Sequence, residues 1–208
     1  MRLFVAVVPP PEVREAALRE ARALPGTGRV RWLPQQNVHL TLKFLGETPE
    51  TRELHEALRA VCGRHRELVL ELRGAGALPS PEKARVLWVG VGRGSEELRS
   101  LAADVEEALE RLGFEREQRS FHPHATVGRS RNEAVRLEAE RASEVGPLSF
   151  RAGSVELVES RLSREGAVYS TVASYPLGDR PSGLDKLDNG EERSDGHQDK
   201  EKYQDHGD

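Results

Sequence analysis

The sequence predicts a mixed helix-and-strand domain built around an internal repeat, and three observations point that way. Short runs of β-formers alternate with stretches whose apolar residues recur at helical spacing. The run Phe4-Val5-Ala6-Val7 and the run Trp88-Val89-Gly90-Val91 lie 84 positions apart, each ahead of a turn and a helical stripe. A tripeptide pattern, His-x-Thr, occurs as His39-Leu40-Thr41 and as His124-Ala125-Thr126, with the two histidines 85 positions apart. A strand–helix–strand unit therefore occurs twice, each copy ending on a His-x-Thr strand. Copies packed about a pseudo-twofold axis would turn the two motifs toward each other.

The elements follow in order. Arg2 to Val8 is rich in β-formers, and Pro9-Pro10-Pro11 ends that strand and opens a helix at its first turn. Val13, Ala17, Ala21 and Leu24 hold one helical face until Pro25-Gly26 closes it. A strand near Val30 to Leu33, a loop at Gln35-Gln36-Asn37 and the first His-x-Thr strand come next. Thr48-Pro49 reads as an N-cap and first-turn proline for a helix carrying Leu54, Ala57, Leu58, Val61 and Cys62. Strands at Glu67 to Arg73 and Arg85 to Val91 are expected to flank a loop from Gly74 to Lys83. Ser95 can cap a helix with Leu98, Leu101, Ala102, Val105, Leu109 and Leu112 on its buried stripe, ended by Gly113. After the second motif, a short helix near Glu133 to Arg141 is expected. Two last strands, Ser154 to Arg161 and Val168 to Tyr175, flank a Ser163-Arg164-Glu165-Gly166 turn.

Composition bounds the rest. The chain has 208 residues and a net charge of −4, enough for one domain of residues 1–178. Residues 179–208 are acidic and poor in apolar side chains, so they form an expected disordered tail. From Arg180 onward that tail carries a net charge equal to that of the whole chain, and the balanced body argues against coating long nucleic acid through a broad basic field. A local basic pocket for one phosphate is compatible with this. The single cysteine, Cys62, permits no internal disulfide and fits a buried helical position. No stretch reaches the length of a membrane span, and the opening apolar run is too short for a signal region, so a soluble cytoplasmic protein is expected.

The motifs carry the chemistry. With seven His and six Thr in the chain, chance placement yields about 0.2 His-x-Thr triplets. Residues two apart on a strand share a face, so each copy offers an imidazole and a hydroxyl side by side. Opening a cyclic phosphodiester by water requires one group to take the water's proton and another to give one to the leaving oxygen. Histidine, titrating at about 6.5, suits both tasks near neutral pH. In-line displacement demands that the two stand on opposite sides of phosphorus, which two facing strands can achieve and one strand cannot. Thr41 and Thr126 can donate to the non-bridging oxygens, and the donor fork of Arg129 fits a phosphate. Lys43 shares alternation with His39 and Thr41 and can reach the site, whereas Phe44 has the opposite parity and is expected in the core. His55 and His65 read as surface residues, and His122 can lie near His124.

The stretches Asn37-Val38-His39-Leu40-Thr41-Leu42-Lys43-Phe44-Leu45-Gly46-Glu47 and Phe121-His122-Pro123-His124-Ala125-Thr126-Val127-Gly128-Arg129 resemble the paired motifs of the two-histidine phosphoesterase superfamily. The closest likeness is to the RNA 2',3'-cyclic phosphodiesterases, historically called 2'-5' RNA ligases. Arg2 to Val7 and Val30-Arg31-Trp32-Leu33 match the family's usual beginning. This resemblance implies a bilobal α+β fold, with two antiparallel β-sheets lining a central cleft, helices packed on the outer faces and one motif from each lobe. It implies hydrolysis of a terminal RNA 2',3'-cyclic phosphate to a 2'-phosphate without metal or other cofactor. His39 is then the proton donor to the leaving 3'-oxygen and His124 the proton acceptor from water, with Thr41, Thr126 and Arg129 binding substrate. Its expected partners are RNA 3' ends bearing a 2',3'-cyclic phosphate, or small cyclic nucleotides, met by a monomer away from any membrane. From the residues alone, the two histidine roles can be exchanged without changing the spacing. Three other readings use the same residues: a metallohydrolase with His122, His124 and a carboxylate as ligands, a non-catalytic module binding nucleotides or RNA ends, and 2'-5' RNA ligation as the reverse reaction.

Overall fold

A computed structural model describes residues 1–24, 26–27, 29–130, 135–137, 144–163 and 166–178; the expected acidic tail lies outside the described residues. Its strands in chain order are β1 (Arg2–Val7), β2 (Gly26–Thr27), β3 (Arg31–Trp32), β4 (Leu40–Glu47), β5 (Leu68–Leu78), β6 (Val86–Val91), β7 (His124–Arg129), β8 (Arg136–Leu137), β9 (Leu148–Ala152), β10 (Ser154–Ser163) and β11 (Gly166–Pro176). Three helices, α1 (Pro11–Ala23), α2 (Arg52–Cys62) and α3 (Ser95–Glu110), accompany them, with a 3-10 turn at Gln35–Asn37.

The strands form an antiparallel sheet in the order β11-β10-β1-β4-β7-β6-β5-β9, with β3 also pairing β7. Reading inward from either edge gives the same pattern: an outer strand, its partner, a strand that feeds a helix, and a His-x-Thr strand. The two halves, β11-β10-β1-β4 and β9-β5-β6-β7, are thus the repeat seen as an 84-residue offset between β1 and β6. They are the two sheets expected, joined edge to edge into one curled sheet where Leu40 of β4 pairs with Ala125 of β7.

All three helices bury their apolar stripes against one face of that sheet. Val5, Val7, Leu40, Val89, Ala125 and Val127 project into this core, with Ala17 of α1, Leu58 of α2 and Leu101 and Val105 of α3. A smaller cluster, Phe4, Ala6 and Val158 with Tyr169 against it, lies apart from that core. Among the described residues, no helix is long and apolar enough to cross a membrane.

Two bulges decide which side chains reach the second face. Against β1, residues Ala6 and Val5 pair with Thr41 and Lys43, so Leu42 is an extra residue on β4. Against β6, Trp88 and Leu87 pair with Thr126 and Gly128, so Val127 is an extra residue on β7. Each inserted residue shifts the alternation by one step. Phe44 therefore stands beside Phe4 and is 72% exposed. Lys43 turns into the core face, where its ammonium donates to Glu106 of α3 and to the carbonyl of Glu115. The expectation from simple alternation, Lys43 toward the site and Phe44 in the core, is reversed for this reason.

Other differences are local. The cap of α2 is Thr51, whose hydroxyl accepts from the Leu54 amide at 3.3 Å, and not Thr48. Ser95 is the first residue of α3, with Gly94 in the cap position. Strand β5 runs on through Leu78 where a loop was expected, because Gly76 leaves room for Trp88 on the neighbouring strand. A Cβ at Gly76 would stand 2.0 Å from the Trp88 ring. The helix expected near Glu133 to Arg141 meets strand pairing instead at its described residues. Val135 bridges Ala84, and β8 pairs β2; the remaining positions lie outside the described residues. Strand β9, which pairs with β5, carried no sequence signal strong enough to predict it.

Candidate active site

The register at the seam brings the two motifs together. Leu40 opposite Ala125 in an antiparallel pair carries His39 across from Thr126 and Thr41 across from His124, all four on the face away from Leu40 and Ala125. The imidazoles thus occupy two diagonal corners of a four-residue patch and the hydroxyls the other two. A phosphate over its centre has one histidine on each flank and one threonine toward each remaining side. Among the described residues, neither threonine hydroxyl is taken up by a side-chain partner.

Arg129 joins them through the second bulge. It lies an odd number of positions after His124, so alternation alone would send it to the core. The extra residue Val127 turns it back, opposite Val86 and on the same face as Thr126 and Trp88. By the repeat it occupies the place of Phe44 in the first half. Ala125 and Gly128, the small residues of the second motif, point the other way. A Cβ at Gly128 would stand 2.6 Å from Val30 Cγ1 and 3.2 Å from Trp32 Cε3, so its smallness serves packing under β3.

Each imidazole is held by the same two devices. His39 Nδ1 donates to the Asn37 carbonyl at 2.9 Å, and His124 Nδ1 to the His122 carbonyl at 2.7 Å. A carbonyl can only accept, so Nδ1 carries a proton in both rings and Nε2 is left for chemistry. Each ring also lies by an aromatic side chain on the adjacent strand: Phe4 at 4.8 Å from His39 and Trp88 at 5.8 Å from His124, between centroids. Tyr169, from the β10–β11 hairpin, meets the His39 ring edge-on at 5.2 Å. The Asn37 amide donates to the Ala167 carbonyl at 2.8 Å and ties that hairpin to the turn ahead of His39. Phe4, Trp88, Asn37 and Tyr169 were not singled out from sequence. The first two share the 84-residue offset of the repeat, and that signal could have found them.

Burial lowers the His39 pKa to about 4, against the hydrogen bond to Asn37 and with further lowering from the positive charges of His124 and Arg129. That electrostatic link is what His124 and Arg129, facing the same patch as His39, produce. It also has a consequence for stability. An imidazole whose folded pKa lies below its unfolded value of about 6.5 binds fewer protons in the native state. Stability is therefore full above pH 6.5 and falls as pH drops from 6.5 toward 4, by up to about 3 kcal/mol from this group. In His39→Asn the loss across that window should shrink, as measured by urea midpoints at pH 7, 5.5 and 4.5. Equal slopes in the two proteins would remove burial of this ring as the cause.

The other histidines sit elsewhere. His55 bridges Glu50 and the Tyr175 hydroxyl, each at 2.7 Å, and His65 contacts Asp104 at 2.8 Å, so both are structural contacts rather than loose surface groups. The His122 ring is exposed. Among the described residues, no three His, Cys, Asp or Glu side chains converge as a metal-binding group would require.

The chain is similar to known proteins over most of its length. Residues 9–164 match the model of the 2'-5' RNA ligase superfamily. An RNA 2',3'-cyclic phosphodiesterase of Aeropyrum pernix is 40% identical over 167 residues, covering 76% of this chain and 92% of that protein. A protein of the same name from Archaeoglobus fulgidus is 35% identical, covering 84% and 99%. Among solved structures, E. coli LigT complexed with 3'-AMP superposes with a TM-score of 0.65 at 29% identity, covering 86% of this chain and 98% of that one.

Proposed function

Because the chain belongs to the 2'-5' RNA ligase superfamily, we propose that it hydrolyses the 2',3'-cyclic phosphate at RNA 3' ends, with His39 and His124 as the proton-transfer pair. The reading is carried by one observation, the diagonal register of the two His-x-Thr motifs across the β4–β7 seam. Curated relatives named for this reaction support it, as does a related structure complexed with a nucleoside monophosphate.

In this mechanism the cyclic phosphate lies over the patch, with its non-bridging oxygens taking hydrogen bonds from Thr41, Thr126 and Arg129. Neutral His124 accepts a proton from water through Nε2 as the water oxygen attacks phosphorus. The bond from phosphorus to the 3'-oxygen breaks, and His39 supplies that oxygen's proton from its own Nε2. The products are a 2'-phosphomonoester and a free 3'-hydroxyl, and solvent restores the two protonation states. The order of roles follows the family resemblance. Burial keeps His39 neutral in the empty site at pH 7, so as donor it takes up its proton once the anionic phosphate is bound beside it. The chemistry uses no metal, since the two imidazoles carry both proton transfers.

The test is an oligonucleotide ending in a 2',3'-cyclic phosphate, incubated with the protein in excess chelator and analysed for phosphate position. The expected product is a 2'-phosphate, formed at an undiminished rate. A 3'-phosphate would place the leaving group on the wrong oxygen, and loss of turnover in chelator that returns with added divalent metal would replace this mechanism. An unchanged cyclic end, bound but not cut, would make the protein a binding module. Joining of RNA ends is the same path reversed, and hydrolysis dominates in water because opening the strained ring is downhill.

A further inference from the structure

Beyond Arg129 the site face continues onto β3. Arg31 pairs directly with Arg129, and Trp32 with Gly128. Directly opposed residues of an antiparallel pair project from the same face, with Cβ atoms about 5 Å apart. The bulge at Val127 turns Arg129 toward the histidines, so it turns Arg31 to the same side. The Arg31 guanidinium also reaches the tip of the β10–β11 hairpin: a Cβ at Gly166 would stand 2.9 Å from its Nη2. The two cations thus lie in a row leading away from the seam, with Arg129 nearer the imidazoles and Arg31 one strand farther out.

We propose that Arg31 and Arg129 together form a second phosphate subsite, which takes the internucleotide phosphate on the 5' side of the terminal nucleotide. This deepens the proposed function and rests on it. The chemistry of the substrate leaves one candidate for that position. With the terminal phosphate closed onto the 2'- and 3'-oxygens, the only other phosphate on that nucleoside is the one at its 5'-oxygen. A phosphate between two guanidinium groups opposed across a ladder takes a charge-assisted contact from each. The enzyme then distinguishes an RNA end from a mononucleoside cyclic phosphate, which has no 5'-phosphate.

The geometry of β3 supports a dedicated position. This two-residue strand is held from beneath by Val30 and Trp32, which occupy the space that Gly128 leaves open. Arg22 of α1 stacks on the Trp32 ring at 5.9 Å. The strand carrying Arg31 is therefore fixed to β7 by its neighbours, and its side chain lies on the site face rather than in the core.

The experiment compares wild type, Arg31→Gln and, as a charge control, Arg151→Gln, an exposed residue paired with Glu67 on β9. Turnover is measured on a dinucleotide ending in a 2',3'-cyclic phosphate and on adenosine 2',3'-cyclic phosphate. Affinity is measured by calorimetry for a dinucleotide ending in a 2'-phosphate and for adenosine 2'-monophosphate. Arg31→Gln should lower kcat/KM and affinity about tenfold or more for the dinucleotides, change the mononucleotide values less than twofold, and flatten the salt dependence of dinucleotide binding by about one phosphate contact. Arg151→Gln should change none of them. Equal losses on both ligand sizes, or none on either, overturn the subsite. Should wild type turn over neither substrate, the hydrolytic reading fails and the calorimetric comparison still decides the subsite.

Discussion

His39→Ala and His124→Ala should each lower kcat for cyclic phosphate opening by about 10²–10⁴-fold, with the double variant only slightly worse than the poorer single one. The reason is that donor and acceptor act on one phosphorus atom in one step, and groups working as a unit lose their benefit together. The two rings can be told apart by the leaving group. A p-nitrophenyl phosphodiester releases an anion that needs no proton, so the His39→Ala defect should shrink toward a few-fold on that substrate. The His124→Ala defect should persist, because water must still be deprotonated. The opposite pattern would exchange the roles while keeping the pair. Activity within a few-fold of wild type in both single variants would remove the mechanism altogether, provided circular dichroism shows the variants folded.

Lys43→Ala should be among the most destabilising single changes, although it touches no substrate. Its side chain is 4% exposed and that of Glu106 is 15% exposed. Removing one partner leaves a buried carboxylate without its counter-charge, which costs about 3–5 kcal/mol. For a chain of this size that corresponds to a fall in Tm of roughly 6–20 °C. Glu106 also accepts from the Glu117 amide at 3.0 Å, which places the effect toward the lower end. Turnover per folded molecule should be unchanged, because Lys43 faces α3. A stable but inactive Lys43→Ala would instead put the ammonium at the site and disprove the bulge at Leu42.

Much of this was legible in the sequence, and the failures have a common origin. The three helices announced themselves by stripes of apolar residues, because a 3.6-residue period repeated over several turns is hard to produce by accident. Four of the five residues gathered on the patch, the two histidines and two threonines, were legible because His-x-Thr is rare and occurs at the same place in both halves of a repeat, and Arg129 followed from its donor fork and the family resemblance. Lys43 and Phe44 were assigned to the wrong faces because a bulge leaves no mark in composition. Leu42 and Val127 are ordinary β-formers, and nothing about them says that each is surplus to its ladder. The run through Gly74 to Leu78 looked like a loop because glycine usually breaks strands. Here a missing side chain at Gly76 is what lets Trp88 lie across the sheet and meet His124. Tyr169 reaches His39 through a hairpin from a distant part of the chain, a relation that no local pattern encodes.

The two surplus residues also govern how the chain can change in length. Excising Leu42 would let Thr41 and Lys43 meet Ala6 and Val5 as consecutive residues of a regular ladder, so every later position of β4 would keep its side. Adding a residue beyond Leu42, with still one bulge to absorb it, would exchange the sides: an ammonium would stand among the imidazoles, and a phenyl ring would press on the Glu106 carboxylate. An addition beyond Val127 would likewise send the Arg129 fork inward against apolar neighbours. Loops between the strands can lengthen or shorten over evolutionary time, whereas these two stretches can shed their surplus residue but cannot take on another.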